Sequence, residues 1–337
     1  MNMENYIVNN DSCRKAFPQK RILTIIWISL CLIIFAIFLE FNSVFPENDL
    51  LASESKSWLL EIHDSITTQI DKYALPGGIV GVSIKDLTTG EYFSINGDVQ
   101  FNPASVIKVP VMVEAFHQMA LGRISMDEKL FLHQQNKIQG SGSIQYLPNG
   151  SVFTVKRLIN LMITDSDNTA TNMLICRLGT KNINQYMRKV GLRHTVLKDP
   201  TMFCKLPGKY NLTSPNDMLM LLEKMYKGEL VSADASKQML DIMKAQLHKW
   251  GIQRFLPASA IVANKTGSLD FVRNDIGIIL DKKHPYILSI FSKQLPSNYY
   301  GSVLVGSISK VIFDRRMQLN GKMPSRNGKN YYTRYGG

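Results

Sequence analysis

The strongest pattern along the chain is an unbroken apolar run. Residues 22–39, ILTIIWISLCLIIFAIFL, are apolar apart from Thr24 and Ser29. A helix of that length spans about 27 Å, close to the thickness of a bilayer core. Arg14, Lys15, Lys20 and Arg21 precede it, and Glu40 and Glu47 follow. The positive-inside rule then predicts a cytosolic segment at 1–21, a transmembrane anchor at 22–39 and an extracytoplasmic remainder. Secretion after cleavage of a signal is the rival reading. No small-x-small site follows closely, and Cys31 behind Leu30 suits a lipoprotein signal poorly. Residues 40–54 read as a linker.

Beyond the linker the period changes. Trp58, Ile62, Ile66 and Ile70 recur at helical spacing, which predicts an amphipathic helix over 54–74. Gly77-Gly78 opens a strand over 79–85, and Thr88-Thr89-Gly90 turns it into a second over 91–95. From 105 to 250 the chain reads mostly helical, with short apolar helices at 154–163 and 169–178. Ser214-Pro215 caps another that runs to Lys227. Strands follow at 259–265, 273–280 and 286–292, then a helix at 299–313. This order predicts an α+β fold: one five-stranded antiparallel sheet, covered by the terminal helices, with a helical subdomain inserted between strands two and three. The globular domain occupies 55–315, and no internal repeat is visible.

Composition and charge add little. The chain has 337 residues, 45% apolar, and formal charge +12. Arg315, Arg316, Lys322, Arg326, Lys329 and Arg334 gather at the C-terminus with no acid after Asp314. Residues 316–337 therefore read as a disordered basic tail, suited to an anionic cell wall or membrane surface, or serving solubility alone. It lacks the aromatic interleaving of a nucleic-acid site. Cys13 and Cys31 fall before or within the apolar run, so only Cys176 and Cys204 reach the globular domain. They either pair in an oxidising compartment or stay as buried free thiols. No Cys and His spacing suits a metal, and nothing implies a cofactor.

Three motifs carry the chemistry. Ser105-Val106-Ile107-Lys108 puts a hydroxyl and an amine on one face of a helix start. Lys108 can take the Ser105 proton if burial and a nearby cation such as Lys265 keep it partly neutral. The Ser105 N–H can hold a developing oxyanion. Ser166-Asp167-Asn168 joins two helices. Its hydroxyl can pass a proton to a leaving nitrogen, the Asn168 amide can hold a substrate carbonyl, and Asp167 pins the turn. Lys265-Thr266-Gly267 ends an apolar strand. Its cation and hydroxyl suit a substrate carboxylate, Gly267 lets a ligand approach the backbone, and the Ser268 N–H is a second oxyanion donor. Arg273 is either a bidentate carboxylate clamp or a surface strand charge. Each motif alone has an ordinary structural explanation; their order in one chain is what counts.

That order, with 61 residues from Ser105 to Ser166 and 99 from Ser166 to Lys265, resembles the penicillin-recognising serine hydrolases, specifically the class A β-lactamase branch. Ser166-Asp167-Asn168-Thr169-Ala170-Thr171-Asn172, Leu256-Pro257 and Arg273-Asn274-Asp275 extend the likeness over about 55 to 315. The resemblance implies acylation of Ser105 by a β-lactam or a peptide ending in D-Ala-D-Ala. One feature departs from it. The branch carries a glutamate, after the second motif, that activates the deacylating water. No glutamate occurs here from Lys129 to Leu222, and the expected position falls near Met202. Asp199 aligns with a structural aspartate of that loop, and Asp217 lies beyond it. The sequence thus leaves two readings: a penicillin-binding D,D-peptidase that deacylates β-lactams slowly, and a weak β-lactamase. A β-lactam sensor needs a cytosolic output, for which 1–21 is too short. A glutaminase fits neither the anchor nor the third motif.

Overall fold

The computed structural model describes residues 58–74, 76–198, 210–319 and 321. The apolar run 22–39, Cys204, Asp199 and Met202 lie outside them. Among the described residues no helix is long and apolar enough to cross a membrane.

The chain starts with two short helices, α1 (Trp58–Glu61) and α2 (His63–Ala74), then a hairpin of β1 (Ile79–Asp86) and β2 (Tyr92–Ile95). A 3-10 turn (Ala104–Ile107) leads into α3 (Lys108–Ala120). The inserted block holds β3 (Lys129–Phe131), β4 (Val152–Thr154), α4 (Val155–Thr164), α5 (Asn168–Leu178), α6 (Thr180–Lys189), α7 (Pro215–Tyr226) and α8 (Ala233–Lys244). The last third supplies β5 (Val262–Leu269), β6 (Val272–Ile279), β7 (Tyr286–Lys293) and α9 (Asn298–Leu319). The sheet order is β2-β1-β7-β6-β5, antiparallel throughout.

Both faces of this sheet are covered, so its inner strands are buried almost end to end rather than alternately exposed. Val80, Val82 and Ile84 of β1, with Tyr286, Leu288 and Ile290 of β7, pack on Trp58, Ile66, Leu304 and Ile308 of the terminal helices. Ile287, Phe291, Ile276 and Ile278 face the other way, into a core with Phe101, Ile107, Met112 and Met218. Gly81 lets α7 approach: a Cβ there would sit 2.7 Å from both the Phe101 ring and Pro215. Four side-chain caps start the helices of the block. Thr154, Asp167, Ser214 and Ser232 each accept the N–H three residues on.

Several expectations need adjusting. The helix expected over 54–74 is interrupted at Ile62. The third strand begins and ends later than its apolar run, because the polar stretch Lys265–Ser268 goes on pairing with β6, Thr266 opposite Asp275 and Ser268 opposite Arg273. The third motif therefore lies inside a strand, not at its end. A small two-stranded sheet, β3 with β4, interrupts the block. Cys176 is exposed, not a buried thiol.

Arg316, read as the start of a basic tail, belongs with Arg315 to α9. Arg316 is buried and ion-paired with buried Asp86, and its guanidinium lies 4.9 Å from the Trp58 ring. Asp86 also accepts from Trp58 Nε1 at 3.1 Å and from the N–H groups of Thr88 and Thr89 at 2.8 and 3.2 Å. One carboxylate thus ties the first helix, the hairpin turn and the last helix together. Arg315 pairs with Glu61, where both side chains are one-third exposed.

Breaking the buried pair leaves Arg316 uncompensated, so Asp86→Ala is expected to cost about 3–5 kcal/mol in urea unfolding. Glu61→Ala is expected to cost about 1 kcal/mol or less, because its pair is solvated.

Candidate active site

Ser105 is half-buried in the turn before α3, not in the helix proper. Two devices build that turn. Asn102 Oδ1 accepts the Ala104 N–H at 3.0 Å, and Ala104 takes φ 48°, a left-handed conformation rare outside glycine. The Asn102 carbonyl accepts from Asn274 Nδ2 of β6 at 2.9 Å, while Asn274 Oδ1 takes the Ser292 N–H of β7 at 3.0 Å. Two strands therefore hold the segment that delivers Ser105.

Gly267 explains how β5 reaches the same turn. A Cβ there would lie 2.6 Å from the Pro103 carbonyl oxygen and 3.2 Å from the Ala104 Cβ. Residues 103–104 occupy the space into which a side chain at this position would point. The consequence is that Lys265, Thr266 and Ser268 run directly past the Ser105 turn.

Lys108 opens α3 and is fully buried. Its Nζ donates to the Ser166 carbonyl at 2.6 Å, to Ser166 Oγ at 3.0 Å and to Asn168 Oδ1 at 2.8 Å. Lys265, also fully buried, donates to the same Ser166 Oγ at 3.0 Å and to the Thr266 carbonyl at 2.9 Å. Ser166 reaches this position with φ 57°. Its hydroxyl is the shared node of two lysines. It accepts from both when both are charged, and can donate to either one that turns neutral.

Burial pushes Lys108 well below the ordinary lysine range, and the Lys265 charge pushes the same way against Asp167 and Asp165. Burial also lowers Lys265, to about 7, opposed by Asp275. Asp275 is raised to about 7 by its own burial, against hydrogen bonds from the Ile252 N–H at 2.7 Å and Asn264 Nδ2 at 3.0 Å. Gly251 lies over it, where a Cβ would come within 2.2 Å of Asp275 Oδ2. The three motifs assign no role to Asn264, Asn274 or Asp275. Their signal was present as polar residues breaking the apolar runs of buried strands.

Asp167 pins the second motif as expected, accepting the Ala170 N–H at 2.8 Å and the Ile144 N–H at 3.0 Å. Asn168 gives its carbonyl oxygen to Lys108 and donates through Nδ2 to the Gln139 carbonyl at 3.2 Å. Neither the Ser105 nor the Thr266 hydroxyl has a hydrogen-bond partner among the described residues. Arg273 is no free surface charge. Its Nη1 donates to Ser268 Oγ and to the Leu269 and Val272 carbonyls, and Nε donates to Ser302 Oγ at 3.3 Å. The guanidinium lies 5.1 Å from the Trp250 ring, and burial lowers its proton affinity. The expected site residues thus converge as one network of Lys108, Ser166, Asn168 and Lys265, flanked by the Ser105 turn and by Thr266, Gly267, Ser268 and Arg273. A serine turn leading into a network of two lysines of lowered proton affinity can support nucleophilic acyl transfer. The position near Met202 where a glutamate was expected falls within 199–209, outside the described residues; Val196 and Leu212 pair on either side of that stretch.

Fold and site together are those of a serine hydrolase of the class A β-lactamase type. Residues 61–315 match the β-lactamase enzyme family, and the chain belongs to it. Among its relatives, β-lactamase Toho-1 of Escherichia coli is 28% identical over 231 residues, 65% of this chain and 77% of that protein. A β-lactamase structure from Sphaerobacter thermophilus superposes with TM-score 0.71 at 28% identity, over 78% of this chain and 97% of the other. A variant of PBP-A, solved as an acyl-enzyme complex with penicillin G, superposes with TM-score 0.72 at 29% identity, over 77% and 97%.

The buried Lys265 makes stability depend on pH. Between pH 7 and about 10.4 the unfolded chain keeps this proton while the folded one releases it, so rising pH favours the fold. Lys265→Met removes that dependence. Its melting temperature is expected to exceed the wild type's by a few degrees at pH 7, and the gap to close towards pH 10. Melting curves of both proteins across that range check the sign.

Proposed function

We propose that this chain is a penicillin-binding D,D-peptidase that is acylated at Ser105 by β-lactams and by peptides ending in D-Ala-D-Ala, and that sheds the β-lactam product slowly. One observation carries the reading. The lysine–hydroxyl network for acylation is intact, while no glutamate occurs between Lys129 and Leu222 to activate a deacylating water. The PBP-A variant solved as an acyl-enzyme complex with penicillin G supports the acylation half of this reading.

In this mechanism Lys108, neutral, takes the proton of Ser105 Oγ as the oxygen attacks the substrate carbonyl. The Ser105 and Ser268 N–H groups hold the oxyanion. As the tetrahedral intermediate collapses, Ser166 Oγ gives its proton to the leaving nitrogen and is reprotonated from a lysine. Lys265, Thr266 and Arg273 hold the substrate carboxylate, and Asn168 the acyl-chain carbonyl. A peptide's leaving amine departs and opens the way for water; a β-lactam's stays attached. Without a positioned base, deacylation is slower by about 10²–10⁴-fold. The substrate's location suits residues 22–39 as a membrane anchor, with the domain outside the cell and the basic C-terminus near an anionic wall.

The second reading is a weak β-lactamase, favoured by the names of relatives such as Toho-1. Intact mass after one minute and one hour with benzylpenicillin separates the two. A penicilloyl adduct still present at one hour, absent in Ser105→Ala, is expected, together with D-Ala release from an acyl-D-Ala-D-Ala peptide. Rapid multiple turnover of benzylpenicillin would sink the peptidase reading.

A further inference from the structure

We propose that Gln145 is a positioning residue for acylation: its amide clamps the 139–143 loop that holds Asn168 against Lys108. The inference rests on the acyl-transfer reading above and assigns a role to a residue that touches none of the reacting groups.

The loop consists of Gln139, Gly140, Ser141, Gly142 and Ser143, with no large apolar side chain to hold its shape. Both glycines take left-handed backbone, φ 114° at Gly140 and 95° at Gly142. Both also lie against the second motif. A Cβ on Gly140 would come within 2.6 Å of Asn168 Nδ2, and one on Gly142 within 2.2 Å of Asp167 Oδ2. Glycine permits this conformation without selecting it.

Gln145 selects it. Its Nε2 donates to the Gly140 carbonyl at 2.8 Å and to the Gly142 carbonyl at 2.9 Å. A carboxamide nitrogen has two protons, and both are used. The folded loop then offers its other carbonyls to Asn168. The Ser141 oxygen takes the Asn168 N–H at 3.0 Å, and the Gln139 oxygen takes Asn168 Nδ2 at 3.2 Å. That bond orients the Asn168 carboxamide so that Oδ1 faces Lys108 Nζ at 2.8 Å. The chain of dependence runs from Gln145 through two carbonyls, the loop and Asn168 to the amine that serves as base.

Gln145→Met tests this, because it keeps volume and charge and removes the carboxamide whose Nε2 makes both bonds. Acylation of Ser105 by benzylpenicillin is expected to slow by about 5- to 100-fold, the worth of two hydrogen bonds. A scaffold role would not move the pH profile; a positioning role does. Lys108 faces Lys265, Asp167 and Asp165 as well as Asn168. Loss of the Asn168 acceptor destabilises its charged form. The acid limb of the acylation profile is therefore expected to move to lower pH by about half a unit to one unit. The melting temperature should stay within a few degrees of wild type. Wild-type rate and limb in Gln145→Met overturn the proposal, as does a slower rate with an unmoved limb and a large loss of melting temperature. If wild-type protein is not acylated at all, the acyl-transfer reading fails instead. Hydrogen exchange of the Asn168 amide then decides: faster exchange in Gln145→Met supports the clamp, and unchanged exchange overturns it.

Discussion

Everything in this domain is arranged around two lysines that share one serine hydroxyl inside the protein. Lys108 and Lys265 are both fully buried and both reach Ser166 Oγ at 3.0 Å. Water cannot screen them there, so each proton weakens the hold on the other. Among the described residues, that strain is offset by the Ser166 and Thr266 carbonyls, Asn168 Oδ1, the buried carboxylates Asp167 and Asp275, and Asp165. Asp167 and Asp275 each have their own backbone donors, which fixes their distance from the lysines. The same burial that makes the cluster unfavourable for folding gives it amines of lowered proton affinity, Lys265 at about 7 and Lys108 well below the ordinary lysine range.

Close packing brings these groups together. Three glycines stand where two backbones or a backbone and a carboxylate must touch: Gly267 on the Ser105 turn, Gly251 on Asp275 and Gly142 on Asp167. In each case protein atoms fill the space a side chain would need.

Much of this was legible in the sequence. The order of the three motifs and the alternation of strands and helices were enough for the sheet, the inserted block and the membership of Lys108, Ser166, Asn168 and Lys265 in one site. What escaped was governed by contacts between distant parts of the chain. The third motif looked like a strand end because its residues are polar, yet pairing with β6 carries the strand to Leu269. Arg316 looked like tail because its partner, Asp86, lies 230 positions earlier. Gln145 carried no local signal at all, since its acceptors are backbone carbonyls that any sequence possesses. Periodicity reports which side of an element is covered. It is silent on which backbone a side chain will find.

The sheet order has a consequence for how the molecule is assembled. The last strand made, β7, sits in the middle, and its long partner β1 was made near the start: Val80 pairs with Ser292. Until β7 arrives, β1 has only the short β2 beside it and an open, apolar edge on the other side. The helical block has only half a surface to settle on. Such a long-range closure makes folding slow and close to all-or-none. A chain interrupted before residue 286 would be left with sticky strand edges rather than a smaller stable fragment. The domain therefore becomes a domain only once nearly all of it exists.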